Sequence, residues 1–154
     1  LSPNYTMTIK INNKYQPKLP VITSQYPVIN INKINLNEMI YPGNQHNNNL
    51  NHIIQANFSN NLKTKNANII LIAHSGNSKI SYFKHIYKLK NGDYIYIYNQ
   101  RLKYIFEVYD KKIINPKDTN KLKHQKQTTL TLLTCFEHNK RLLVIAKLKG
   151  VNYH

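Results

Sequence analysis

Residues 128–148, TTLTLLTCFEHNKRLLVIAKL, leave the chain few ways to fold. A β-branched and leucine-rich run ends at Cys135, a second apolar run begins just after Arg141, and residues 136–140 (FEHNK) divide them. Two short apolar runs with a polar interruption read as a β-hairpin. The chain's one cysteine then stands at the exit of the first strand and an arginine at the entrance of the second. Such a hairpin sets a thiol beside a permanent positive charge. A free cysteine is also a common small core hydrophobe, and the hairpin alone leaves both readings open.

Strand patterns dominate elsewhere. Residues 26–32, 36–41, 53–58, 94–98 and 102–109 read as short strands, with turns at 33–35 (KIN), 42–44 (PGN) and 91–93 (NGD). The run IILIA at 69–73 is continuously apolar, as expected for a strand buried on both faces, and His74 stands at its lip. Ile80, Phe83, Ile86, Tyr87 and Leu89 suggest a short amphipathic helix over 78–89, with His85 on its surface. Residues 111–127 form the one long connection between strands, and 149–154 a polar tail. Long βαβ alternation is missing, which argues against a doubly wound parallel sheet. The expected class is mainly β, a closed or nearly closed barrel with one or two short helices.

Composition bounds the chemistry. At 154 residues the chain is one domain with room for a core. A single cysteine excludes an intramolecular disulfide and a cysteine-based metal cluster. His46 and His52, in and beside the asparagine-rich stretch 45–51, lack a companion carboxylate or thiol and are expected as exposed loop histidines, so no metal and no cofactor is implied. Lys and Arg number 22 against 6 Asp and Glu, a formal net charge of +16. Such a charge raises binding to nucleic acid or another anionic polymer as one reading. The charges are scattered rather than gathered on one periodic face, and no nucleic-acid partner is expected. No run is long enough to span a bilayer.

The wording of these stretches carries more. TLTLLTC followed by RLLVIAKL resembles the TLxTC…R signature of the sortases, and Ile69 to His74 resembles the strand-end histidine of the same family. The stretches ININKINLNEMIYPG (29–43), YFKHIYKLKNGDYIYIY (82–98) and INPKDTNKL (114–122) lie at family-like positions, so the resemblance spans about 27–148. It implies an eight-stranded barrel over residues 21–150, preceded by a tether or extension at 1–20 and followed by a tail at 151–154. It also implies a cysteine transpeptidase of the bacterial cell surface that cuts an LPxTG-like sorting motif. The acyl group is held as a thioester and passed to an amine of peptidoglycan or of a pilin. A membrane anchor is expected N-terminal to this chain.

The roles follow residue by residue. Cys135 is expected as nucleophile, His74 as general acid and base, and Arg141 as oxyanion stabiliser. Ile72, Leu133 and Thr134 are expected to line the substrate groove, with Ile114 and Pro116 supplying apolar contacts from the long connection. Two departures stand out: Ala73 occupies a position that is often glycine in the family, and the five residues between Cys135 and Arg141 make a short loop. The family's calcium site is not carried over, because acidic residues are few and unclustered. The alternatives are a cysteine hydrolase with the same three residues, or a basic β-barrel binding module.

Overall fold

The computed structural model describes residues 26–43, 50–56, 60–122 and 126–154. The N-terminal extension expected at 1–20 and His46 lie outside the described residues. Eight strands are found among those described: β1 (Val28–Ile31), β2 (Leu36–Pro42), β3 (Ile53–Gln55), β4 (Asn68–Ile72), β5 (Tyr94–Asn99), β6 (Leu102–Ile114), β7 (Thr129–Phe136) and β8 (Lys140–Tyr153). They close into a barrel in the order β1-β2-β3-β4-β7-β8-β6-β5, with β5 returning to β1. The contacts β2–β3 and β4–β7 are parallel and the others antiparallel. Closure gives every described strand a neighbour on both sides, which limits the free edge that could template aggregation.

Alternation builds the core. Ile29, Ile31, Ile69, Leu71, Ile95, Ile97, Phe106, Leu130, Leu132, Val144 and Ala146 point inward and are almost completely buried. β4 and β7 are buried on both faces, which explains why their sequences do not alternate. Outside the barrel, Leu133, Leu143 and Ile145 form a second apolar cluster, joined by Ile72, Tyr109, Ile114 and Leu122. That cluster lies beneath the connection that follows β6.

Several expectations are corrected. Residues 78–89 do not form an α-helix; they run as successive turns ending in a 3₁₀ turn (Ile86–Lys88). The amides of Ser81, Lys84, Ile86, Lys88 and Leu89 all donate to the carbonyl three residues back. Phe83, Ile86 and Leu89 are fully buried and spaced by three, which is the 3₁₀ period, while Tyr87 is 51% exposed. His85, on the same segment, is half-buried rather than on the surface, and its Nδ1 is buried without a partner. The long connection starts later than expected because β6 continues to Ile114, and it contains a 3₁₀ helix, Pro116–Lys121. The supposed polar tail is strand: β8 runs to Tyr153, paired with Leu102 of β6. The expected strand at 53–58 narrows to Ile53–Gln55, with 57–59 outside the described residues.

Two local features carry measurable consequences. Gly43 follows β2, and its N–H donates to the Gln55 carbonyl at 2.8 Å. A Cβ there would lie 2.3 Å from that same oxygen and 2.9 Å from Ile54 Cγ2. Backbone cannot rotate aside, so Gly43→Ala is expected to destabilise the fold by roughly 1–3 kcal/mol, read by urea unfolding. Asp93 closes the turn before β5: its carboxylate accepts from Lys90 N–H at 2.7 Å and from Lys33 Nζ at 2.7 Å. Burial pushes this carboxyl up, but the Lys33 and Lys90 hydrogen bonds and charges outweigh burial and hold it below 3.8, the ordinary value. A depressed folded pKa contributes stability that is present above the ordinary value and disappears as pH falls through the folded one. Asp93→Asn is therefore expected to lower the melting temperature near neutral pH, by an increment worth up to about 1 kcal/mol for a partly exposed pair. The difference from the parent should vanish at the acid end of a pH series of melts.

Candidate active site

The β7–β8 turn is tight because two residues accept left-handed backbone. His138 and Asn139 have φ of 56° and 60°, and Lys140 N–H donates to Glu137 O at 3.2 Å. Positive φ at both central positions matches the right-handed twist of the flanking strands. The turn fixes the register, and that register sets Cys135 of β7 directly opposite Arg141 of β8. Opposed residues in an antiparallel pair project to the same face. Arg141 is in turn opposite Ile114 of β6, so the three form one lateral row across the outer wall. Lys140 Nζ donates to Asn115 Oδ1 and ties this turn to the start of the long connection. Cys135 is exposed and Arg141 half-buried, with Arg141 Nη1 donating to Lys140 O at 3.0 Å.

The parallel pairing of β4 with β7 brings the strand-end histidine to the same end of the barrel. Ile72 is opposite Leu133, and the chain beyond β4 stays bound to β7. Ala73 N–H donates to Leu133 O, Thr134 Oγ1 donates to Ala73 O at 2.6 Å, and Ser75 Oγ donates to Cys135 O at 2.8 Å. These bonds bracket the half-buried His74, whose own carbonyl accepts from Phe83 N–H at 2.9 Å. Ala73 is buried in the core at negative φ, so the position needs no glycine.

Two depressions flank the thiol. One, of about 280 Å³, is lined by Leu50, Ile72, Pro116, Leu133, Cys135 and Arg141, with Thr119 and the Ala73 and Thr134 chain. The other, of about 250 Å³, is lined by Ser75, Phe83, Lys84, Tyr87, Cys135 and Glu137, among others. Of the expected groove residues, Ile72, Leu133, Thr134 and Pro116 line the first. Ile114 packs instead into the outer apolar cluster beside it. Thr134 is 2% exposed and its hydroxyl is engaged by Ala73, so it positions the β4 exit more than it meets solvent. Sequence reasoning missed Ser75, Leu50, Thr119 and Tyr87. Only Ser75 had a visible signal, a hydroxyl beside the strand-end histidine.

The sortase-domain family model matches residues 29–149, most of the chain. The chain belongs to the sortase family. Members of this family act at the bacterial cell surface, and this chain is a cysteine transpeptidase. Among solved structures, a lid mutant of sortase A from Corynebacterium diphtheriae is similar at a TM-score of 0.74 and 25% identity, over 97% of this chain and 81% of that one. Sortase C-3 from Streptococcus pneumoniae shares the fold at a TM-score of 0.76 and 21% identity, over 97% and 82%. Sortase E1 from Streptomyces coelicolor, with a tripeptide in its active site, shares it at 0.73 and 20%, over 83% and 90%. No curated protein matches the sequence. Among the described residues, no helix is long and apolar enough to cross a membrane, and no three His, Cys, Asp or Glu side chains gather where they could hold a metal ion.

Proposed function

We propose that this sortase cleaves an LPxTG-like sorting motif after its threonine, holds the acyl group as a thioester on Cys135, and transfers it to an amine of peptidoglycan or of a pilin. The Cys135 sulfur attacks the threonine carbonyl carbon. Negative charge gathers on the carbonyl oxygen, where the Arg141 guanidinium, always charged and forked, stabilises it. His74 gives a proton to the departing amine, so that the C–N bond breaks and the thioester remains. The incoming amine then attacks the thioester, loses its proton to His74 and releases the thiolate. The apolar wall of Ile72, Leu133 and Pro116, backed by Ile114, takes the motif's apolar residues, and Thr134 holds the histidine loop. The depression on the other side of Cys135 leaves an approach for the acceptor. The catalytic domain is read as 21–150 with the strand continuation to Tyr153, acting at the outer face of the cytoplasmic membrane through an anchor beyond this chain.

The observation that carries this reading is the direct opposition of Cys135 and Arg141 on one wall of one groove. The test is intact-mass spectrometry of the protein incubated with a library of sorting-motif peptides, with and without an added amine. A thioester adduct on Cys135 that turns into peptide–amine conjugate is the expected result. Peptide acid as the sole product, even at high amine, would make the chain a hydrolase.

A further inference from the structure

A third concavity lies away from the thiol. It measures about 240 Å³ and is lined by Glu38, Met39 and Tyr41 of β2, His52 and Ile53 at the start of β3, and Tyr82 of the turn segment. None of these residues lines either depression at Cys135. Its walls are aromatic: the Tyr41 and His52 rings stack at 3.9 Å, and Tyr26 leans on Tyr41 at 5.0 Å. Burial, and then the nearby Glu38 charge, push the Tyr82 hydroxyl up.

Glu38 is the unusual member. The chain has six acidic residues against 22 basic ones. Asp93, Glu107 and Asp110 are paired with Lys33, Lys149 and Lys112. Among the described residues Glu38 and Glu137 have no side-chain ion pair or hydrogen bond, although lysines abound, and of the two only Glu38 lines this concavity. A carboxylate lining a small aromatic concavity repels anions and makes an apolar guest costly, because that guest would desolvate the charge without compensating it. A divalent metal lacks the further ligands it needs among the described residues. An organic cation meets both requirements: the carboxylate neutralises its charge, and tyrosine faces attract it.

We propose that this concavity binds a primary alkylammonium, supplied as the lysine side chain of a partner peptide, with Glu38 pairing the ammonium and Tyr41, His52 and Tyr82 enclosing the methylene stem. An ammonium paired with a carboxylate is protonated and has no lone pair, so this is a recognition site and not the position of the attacking amine. Its use as a handle on an amine-bearing acceptor rests on the transpeptidase reading; the binding itself does not.

The test uses the Cys135→Ala chain, so that binding is read without acylation. Nα-acetyl-lysine methylamide is titrated while amide and tyrosine ring resonances are followed, beside the neutral norleucine analogue. Saturable shifts are expected at Glu38, Met39, Tyr41, His52 and Tyr82, with affinity on the order of millimolar. The norleucine analogue is expected to bind at least about tenfold more weakly, and Glu38→Gln to weaken lysine binding by roughly 10- to 100-fold, the scale of one charge-assisted contact. A melt checks that Glu38→Gln is folded; if it is not, Tyr82→Leu, on the covering segment, takes its place and is expected to weaken lysine binding by roughly 2- to 5-fold, the scale of one aromatic contact to a cation. Equal binding of the norleucine analogue, shifts confined to Ser75 and position 135, or no saturable shifts would each overturn the proposal. Failure of acyl transfer in the parent chain, with lysine binding intact, would overturn the acceptor role and leave the site.

Discussion

Cys135→Ala is expected to abolish adduct formation with sorting peptides and all amine transfer, while the melting temperature stays within the change caused by a surface substitution, about ±0.5 kcal/mol. The two halves of that result have separate causes. Cys135 is the only cysteine in the chain, so without it no thioester can form. The residue is exposed at the end of β7, so its loss opens no cavity of the kind that makes core truncations costly. Intact-mass spectrometry with the peptide library measures the first, and thermal melts the second. A companion measurement on the parent is alkylation of the folded chain by a small thiol reagent, which should proceed without denaturant because the thiol meets solvent. A thiol inert until unfolding would mean that Cys135 serves packing rather than chemistry.

Arg141→Lys is expected to reduce acyl-enzyme formation by roughly 100- to 1000-fold with stability nearly unchanged, the loss seen when one preorganised oxyanion donor is removed. The charge survives this substitution, but the geometry does not. One guanidinium nitrogen of Arg141 already donates to the Lys140 carbonyl, which leaves the rest of the planar fork held in a fixed direction beside Cys135. A lysine ammonium is a flexible point charge that cannot bond the strand and face the substrate at once. Single-turnover acylation of the variant beside the parent, with melts as control, is the measurement. Near-parental acylation at an unchanged melting temperature would remove Arg141 from the oxyanion role and leave Cys135 and His74 alone as the reacting pair.

Much of the β-hairpin was legible because its cause is local. Apolar runs on either side of a polar interruption, with residues at 138 and 139 that tolerate positive φ, specify a turn and a register within a few residues. That register alone puts Cys135 opposite Arg141. The buried run before His74 was legible for the same reason, since an unbroken apolar stretch needs cover on both faces. The 78–89 segment misled because the i, i+3 spacing of Phe83, Ile86 and Leu89 is common to the 3- and 3.6-residue periods; Tyr87 discriminates between them, and its exposure reports packing against the barrel rather than propensity.

Strand length beyond the barrel body was not legible either. Lys111 and Lys112 pair through their backbones with Val144 and Leu143, so β6 continues while its side chains stand in water and lose the alternation that marks a strand. Residues 151–153 are held in the same way by the start of β6.

From its own order of residues, the chain determined its β class, the hairpin that pairs thiol with guanidinium, and the buried strand that ends beside His74. The tertiary structure alone decided that β4 lies parallel to β7, which brings a residue some sixty positions upstream alongside Cys135 through the Thr134 and Ser75 hydrogen bonds. It alone decided that Glu38, Tyr41, His52 and Tyr82 line one concavity. Local pattern encodes how a segment pairs with its neighbour in sequence. Which distant segments meet depends on closing the barrel around one shared core, and no single stretch carries that information.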